Sequence, residues 1–99
     1  MSSVYRVTVR NQHEEVPMNV VIVIVEEGIT KIKRNTFYKR EQLKSIIFPQ
    51  SLEKIEDFAV ASCTSLQSVF IPKNVTKIAN EAFAYCYALH EVIFEKGSK

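Results

Sequence analysis

From Ile29 onward the apolar positions recur every 23 residues without a gap. Three rows align: ITKIKRNTFYKREQLKSIIFPQS from Ile29, LEKIEDFAVASCTSLQSVFIPKN from Leu52 and VTKIANEAFAYCYALHEVIFEKG from Val75. Their shared columns are Ile29, Leu52 and Val75; Ile32, Ile55 and Ile78; Phe37, Val60 and Phe83; Leu43, Leu66 and Leu89; Ile46, Val69 and Val92; and Phe48, Ile71 and Phe94. A unit of this length cannot bury such a set alone, so the units must stack and share one continuous core. The predicted organisation is a single domain over 1–99, with repeats at 29–51, 52–74 and 75–97 and an N-terminal cap and partial rung at 1–28. That partial rung is read from Val20, Val23 and Val25, which fall above Leu43, Ile46 and Phe48.

Within each unit the segments Leu43–Phe48, Leu66–Ile71 and Leu89–Phe94 read as short strands, and Pro49 and Pro72 remove the next backbone donor. Asn80–Cys86, NEAFAYC, combines Ala and Glu with an i, i+3 spacing of Phe83 and Cys86, which predicts a short helix or 3-10 turn packed on the rungs. Tyr5–Arg10 alternates apolar and polar residues and predicts a strand covering one end of the stack, and Val20–Val25 predicts another. The sequence stops five residues beyond Phe94 (99 − 94), so the last rung is expected to expose backbone groups and an apolar end.

The segment Ile-x-x-x-Ala-Phe-x-x-Cys-x-x-Leu-x-x-Val-x-Ile-Pro resembles the BspA-like, bacterial surface antigen type of leucine-rich repeat, whose units are of this length. Ile78, Ala82, Phe83, Cys86, Leu89, Val92 and Phe94 match it, with Glu95 where proline is usual. Ile55, Ala59, Cys63, Leu66, Val69, Ile71 and Pro72 match in the middle unit, with Val60 in place of phenylalanine. The first unit keeps Phe37, Leu43, Ile46, Phe48 and Pro49 but carries Thr36 for alanine and Arg40 for cysteine. The resemblance covers roughly residues 20–97. It implies an α/β fold: a solenoid with a parallel sheet on the concave face and short helical or 3-10 turns on the convex face. It also implies a general role in binding proteins or surfaces; it does not imply a substrate or an enzyme. Members of the family are usually longer and often secreted, which this sequence does not match.

If Leu43, Ile46 and Phe48 point inward, Ser45 and Ile47 point outward. The equivalent outward pairs are Ser68 with Phe70 and Glu91 with Ile93, and the partial rung adds Ile22 with Ile24. Stacking therefore aligns Ile24, Ile47, Phe70 and Ile93, flanked by Ser45, Ser68 and Glu91, as an expected protein-binding stripe. Strand propensity alone also produces such a column, since β-branched and aromatic residues pack along any ladder. The partner is expected to be protein, with a homo-oligomer, a dimer in particular, favoured. The alternative is a self-assembling protomer, or a fragment of a longer array, that stacks through its open last rung at Phe94.

Composition narrows the chemistry further. A net charge of +2 with 24% charged residues describes an ordinary solvated surface. The cluster Lys31, Lys33, Arg34, Lys39, Arg40 and Lys44 could serve an anionic partner, but only Tyr38 offers stacking beside it, and nucleic acid is not expected. The longest apolar run, Val20–Val25, is far below the roughly 20 residues of a membrane-spanning helix, so no membrane insertion is expected. MSSVYRVTV lacks a basic stretch followed by an apolar core, so a cytoplasmic chain is expected. Cys63 and Cys86 share one slot and read as buried hydrophobes, with a disulfide between rungs geometrically conceivable. His13 and His90 lie away from them, and no C-x-x-C pair builds a metal site. Neighbouring acids such as Glu56 and Asp57 diverge, and two glycines cannot make a phosphate loop. No catalytic residue, metal or cofactor is expected. Tyr85, Tyr87 and Phe58 form a second-ranked convex surface.

Overall fold

A computed structural model describes residues 4–97, so the first three residues of the cap predicted over 1–28 lie outside the described residues. Eight short strands follow one another: β1 (Val4–Val7), β2 (Ile22–Val25), β3 (Lys31–Ile32), β4 (Ser45–Ile47), β5 (Lys54–Ile55), β6 (Ser68–Ile71), β7 (Lys77–Ile78) and β8 (Glu91–Phe94). Every pairing is parallel, in three sheets of order β1-β2-β4, β3-β5-β7 and β6-β8. The partners are the residues the 23-residue rows align: Val23 with Ile46, Ile32 with Ile55 and Ile78, and Val69 with Val92. The chain is thus a coil wound repeatedly upon itself, and β4 lies against β6 to continue the first sheet into the last. The strands at the predicted leucine segments begin two residues late, because Leu43, Leu66 and Leu89 sit on the turn that precedes each strand.

One expectation is overturned. There is no helix among the described residues, and the α/β assignment with helical or 3-10 turns on the convex face gives way to a β-solenoid throughout. The backbone hydrogen bonds supply the reason. Along Asn35–Arg40, alternate amides close local turns, Thr36 to Lys33 O and Tyr38 to Asn35 O, while Phe37 and Lys39 donate to Ala59 O and Ala61 O of the next coil at 2.7 and 2.9 Å. The next arc repeats this: Phe58, Val60 and Ser62 donate to the carbonyls of Glu81, Ala82 and Ala84. A helix would send those amides four residues back and keep φ right-handed throughout. Here Asn35, Lys39, Phe58, Ser62 and Tyr85 have φ between 57 and 64°, which re-aims the backbone at the neighbouring coil. Ala59, Ala61 and Ala82 are fully buried, and their small side chains allow the arcs to approach.

The core runs along the stack axis. Ile29, Ile32, Phe37, Leu43, Leu52, Ile55, Val60 and Leu66 are all buried, as the columns require. At the last coil the same columns open: Val69 and Ile71 are buried, but Val92 is 44% and Phe94 57% exposed, since no coil follows them among the described residues. At the opposite end β1 pairs with β2, and Val7, Val16 and Val20 close over the core. Leu66, at 0% exposure in the middle of the stack, has no room to relax. Leu66→Ala is expected to cost about 3 kcal/mol in urea denaturation, in the range for a buried leucine truncated in a tight core. Hydrogen exchange tests the arcs: the amides of Val60 and Ser62 are expected to exchange far more slowly than those of Phe83 and Tyr85, which occupy the same slots in the last coil. Equal rates would contradict the coil-to-coil bonds.

Candidate interaction surface

On the face formed by β2, β4, β6 and β8, alternate side chains enter the core and their neighbours face solvent. Val23, Ile46 and Val69 are buried, while Ile47, Phe70 and Ile93 are 52%, 48% and 45% exposed and Ile24 is half-buried. Arg6 pairs with Ile24 and Ile24 with Ile47 in one sheet, and Phe70 pairs with Ile93 in the sheet that lies against it through β4 and β6, so these side chains form a file in two segments. The parallel file, Val4, Ile22 and Ser45 followed by Ser68 and Glu91, turns from apolar to polar along the stack. Arg6, at the head of the apolar file, is held by Glu26 at 3.4 Å in an exposed ion pair. Phe94 does not belong to this face: it occupies an inward slot and is exposed at the end of the stack.

The strands hold register through clamps at the corner that follows them. Glu27 accepts the amides of Gln50 at 2.8 Å and Ser51 at 3.2 Å, one coil further on. Ser51 Oγ donates to Ile29 O and accepts from the Gly28 amide. Gly28 has φ of 101°, and a Cβ there would stand 3.0 Å from Val9 Cγ2, so the turn requires glycine. Glu95 works in the reverse direction: its Oε1 accepts the Lys73 amide and the Gln50 side-chain amide, both at 3.0 Å. Those bonds hold its carboxyl below the usual carboxylate range, Gln50 first and Lys73 second. Glu95 stands where the earlier units have Pro49 and Pro72, and its role was legible only as a departure from the pattern.

Arg40, Cys63 and Cys86 occupy one slot and perform one task. Cys63 Sγ donates to Phe37 O at 3.1 Å and Cys86 Sγ to Val60 O at 3.0 Å, each reaching back to the preceding coil. At the first coil the preceding chain is irregular, and Arg40 spans the gap by donating to Val16 O and to Tyr38 O. Its side chain is 7% exposed, with Glu15 4.0 Å away as a loose counter-charge. Both cysteines are free. Burial, reinforced by the neighbouring Cys86, pushes the Cys63 thiol up to about 12, and burial raises Cys86 as well. Neither thiol supplies a thiolate near neutral pH, so the slot is structural. Among the described residues no group of three or more His, Cys, Asp or Glu side chains could hold a metal ion, and no helix is long and apolar enough to cross a membrane.

A solenoid of parallel 23-residue coils, with a core shared between them and an apolar file on one sheet, defines a repeat scaffold. The family model described as BspA type leucine rich repeat region (6 copies) matches residues 16–99, and the chain belongs to that family, a non-catalytic scaffold. It is also similar to the crystal structure of a leucine rich cell surface protein from Faecalibacterium prausnitzii, with a TM-score of 0.74 and 29% sequence identity over 91% of this chain. The chain spans 22% of the length of that protein. No curated protein matches it.

Two measurements check this chemistry. The Glu95 contribution, arising from a lowered folded-state pKa, is fully present above the ordinary carboxylate range and is lost as pH falls through the lowered value. Glu95→Gln is therefore expected to flatten part of the acid limb of the stability curve, read by thermal melting from neutral to acidic pH. For the thiols, iodoacetamide at mildly alkaline pH is expected to leave Cys63 unmodified in the folded chain and to label it fully in urea. Rapid labelling of the native protein would show that the slot opens.

Proposed function

We propose that this repeat module binds protein through the file Ile24, Ile47, Phe70 and Ile93, with Ser45, Ser68 and Glu91 as its polar border. The observation that supports this reading is the near-half exposure of Ile47, Phe70 and Ile93, with Ile24 paired to Ile47, Phe70 paired to Ile93, and the side chains flanking Ile47 and Phe70 buried. Burying the rest of four such side chains supplies about 1 kcal/mol each, about 4 kcal/mol in all. That matches only roughly millimolar affinity before the cost of association, so the file can serve only as the centre of a contact that also uses its border. An apolar centre within a polar rim is the usual anatomy of such a patch. A second copy of the chain is the favoured partner, because a two-fold contact lets one self-complementary file serve both sides. Placement in the cytoplasm belongs to the same reading, supported by two free thiols in adjacent coils.

A second reading is favoured by a separate observation. Val92 and Phe94 are exposed on the last coil, and the arc residues Phe83 and Tyr85 occupy slots whose amides donate onward in the coil before. That end fits a further coil better than it fits itself, since two such ends face to face would oppose donor to donor.

Analytical ultracentrifugation over a wide concentration range separates the readings. The parent is expected to associate, and Phe70→Glu to abolish association while leaving the melting temperature unchanged. Loss with Phe94→Glu alone would assign association to the end of the stack. A parent that stays monomeric throughout would remove self-association.

A further inference from the structure

The sheet β3-β5-β7 lies on a different side of each coil from the apolar file and carries its own column. Lys31 pairs with Lys54, and Lys54 with Lys77, in strict parallel register, and all three are exposed. Neighbouring strands are about 4.8 Å apart. Like charges placed opposite one another on adjacent strands destabilise a sheet, so nothing in the folding of this sheet calls for three lysines in file. Only Lys31 finds a carboxylate among the described residues, Glu56 at 3.6 Å. Glu56 is thereby committed, because its other oxygen accepts the Arg34 amide at 3.2 Å.

Beside this column runs a groove of about 310 Å³, with Ile55 and Ala79 in its lining and Arg34, Lys54 and Lys77 along it. The Arg34 guanidinium is placed over the Phe58 ring, 5.6 Å from its centroid. With Glu56 engaged, Asp57 is the remaining carboxylate against three cations.

We infer that the Lys31–Lys54–Lys77 column and its groove form a second docking surface, for a protein helix bearing acidic residues along one face. The match is one of spacing and sign. Acidic side chains at i, i+3 or i+4, and i+7 of a helix rise by about 4.5–6 Å per step, close to the separation of the lysines. A helix laid along the stack axis therefore sets successive carboxylates against successive lysines. The groove is at the lower limit of ligand-sized clefts and admits side chains, with Ala79 and the aliphatic stems of Lys54 and Lys77 offering apolar contact between the charges. Asp57 and Glu56 beside the column disfavour a polyphosphate backbone, whose charge density exceeds that of a helix face.

Fluorescence anisotropy with a labelled alanine-rich helical peptide, carrying glutamate at i, i+3/i+4 and i+7, tests the surface at low ionic strength. Binding is expected, and Lys54→Gln/Lys77→Gln is expected to weaken it about fivefold, the effect of two exposed charge pairs. The melting temperature of that variant should equal or exceed the parent's, because repulsion is relieved. The assignment is overturned if the peptide does not bind, or if Lys39→Gln/Lys44→Gln weakens binding equally, which would reduce it to net charge. It is equally overturned if a labelled single-stranded oligonucleotide or heparin binds tighter than the peptide and loses affinity with the same column variant.

Discussion

Backbone hydrogen bonds between successive coils are the constraint on which the rest of the molecule depends. Each coil supplies short strands of two to four residues, none of which could persist alone. Joined in parallel at a fixed 23-residue offset, they bring identical columns together, and burial follows from that alignment. The arcs are held in the same way: Phe37, Lys39, Val60 and Ser62 give their amides to the next coil instead of to a helix. Register, core and exposed files are three consequences of one pattern of bonding.

Because that pattern is non-local, the sequence reveals its parts unevenly. The columns Ile29–Leu52–Val75 and Leu43–Leu66–Leu89 are legible because burial demands apolar residues at each turn of the coil. SIIF and SVFI each carry three apolar residues in a row, but the inward columns through Ile46 and Phe48 leave Ile47 between them facing out, so the file through Ile47 and Phe70 could be drawn without coordinates. The arcs could not. Phe83 and Cys86 stand at a spacing that suits a helix equally well, and only the amide bonds that the preceding arcs send 22 or 23 residues ahead in the chain distinguish the two. The β3-β5-β7 sheet escaped for a related reason: two-residue strands with a single inward isoleucine carry too little alternation to read.

Departures from the repeat proved as informative as the matches. Arg40 replaces a cysteine, yet it performs the same donation over a longer reach, sealing the place where regular coils give way to the N-terminal connection. Glu95 replaces a proline and ties Lys73 and Gln50 to the last strand. In both cases a charged residue at a corner serves the stack where a neighbouring coil is missing or irregular. The candidate surfaces have a similar origin, since an outward column in a parallel stack is a row of whatever the repeat places there, isoleucine and phenylalanine on one sheet and lysine on another.

The arc bonds also share a direction. Every inter-coil amide along them points from one coil toward the following one, from Phe37 to Ala59 and from Val60 to Ala82. Peptide dipoles aligned in series do not cancel, whether the series runs along a helix or across a stack. Elsewhere on the coil the direction reverses, since Lys44, Glu56, Thr76, His90 and Glu95 donate back to Val21, Ile32, Glu53, Gln67 and Ile71, so the forward polarity belongs to the arc side alone, with its donor-rich edge at Phe83 and Tyr85. Each coil added to such a stack carries that donor edge forward, so along the arcs the two ends of the scaffold present chemically unlike faces at any length.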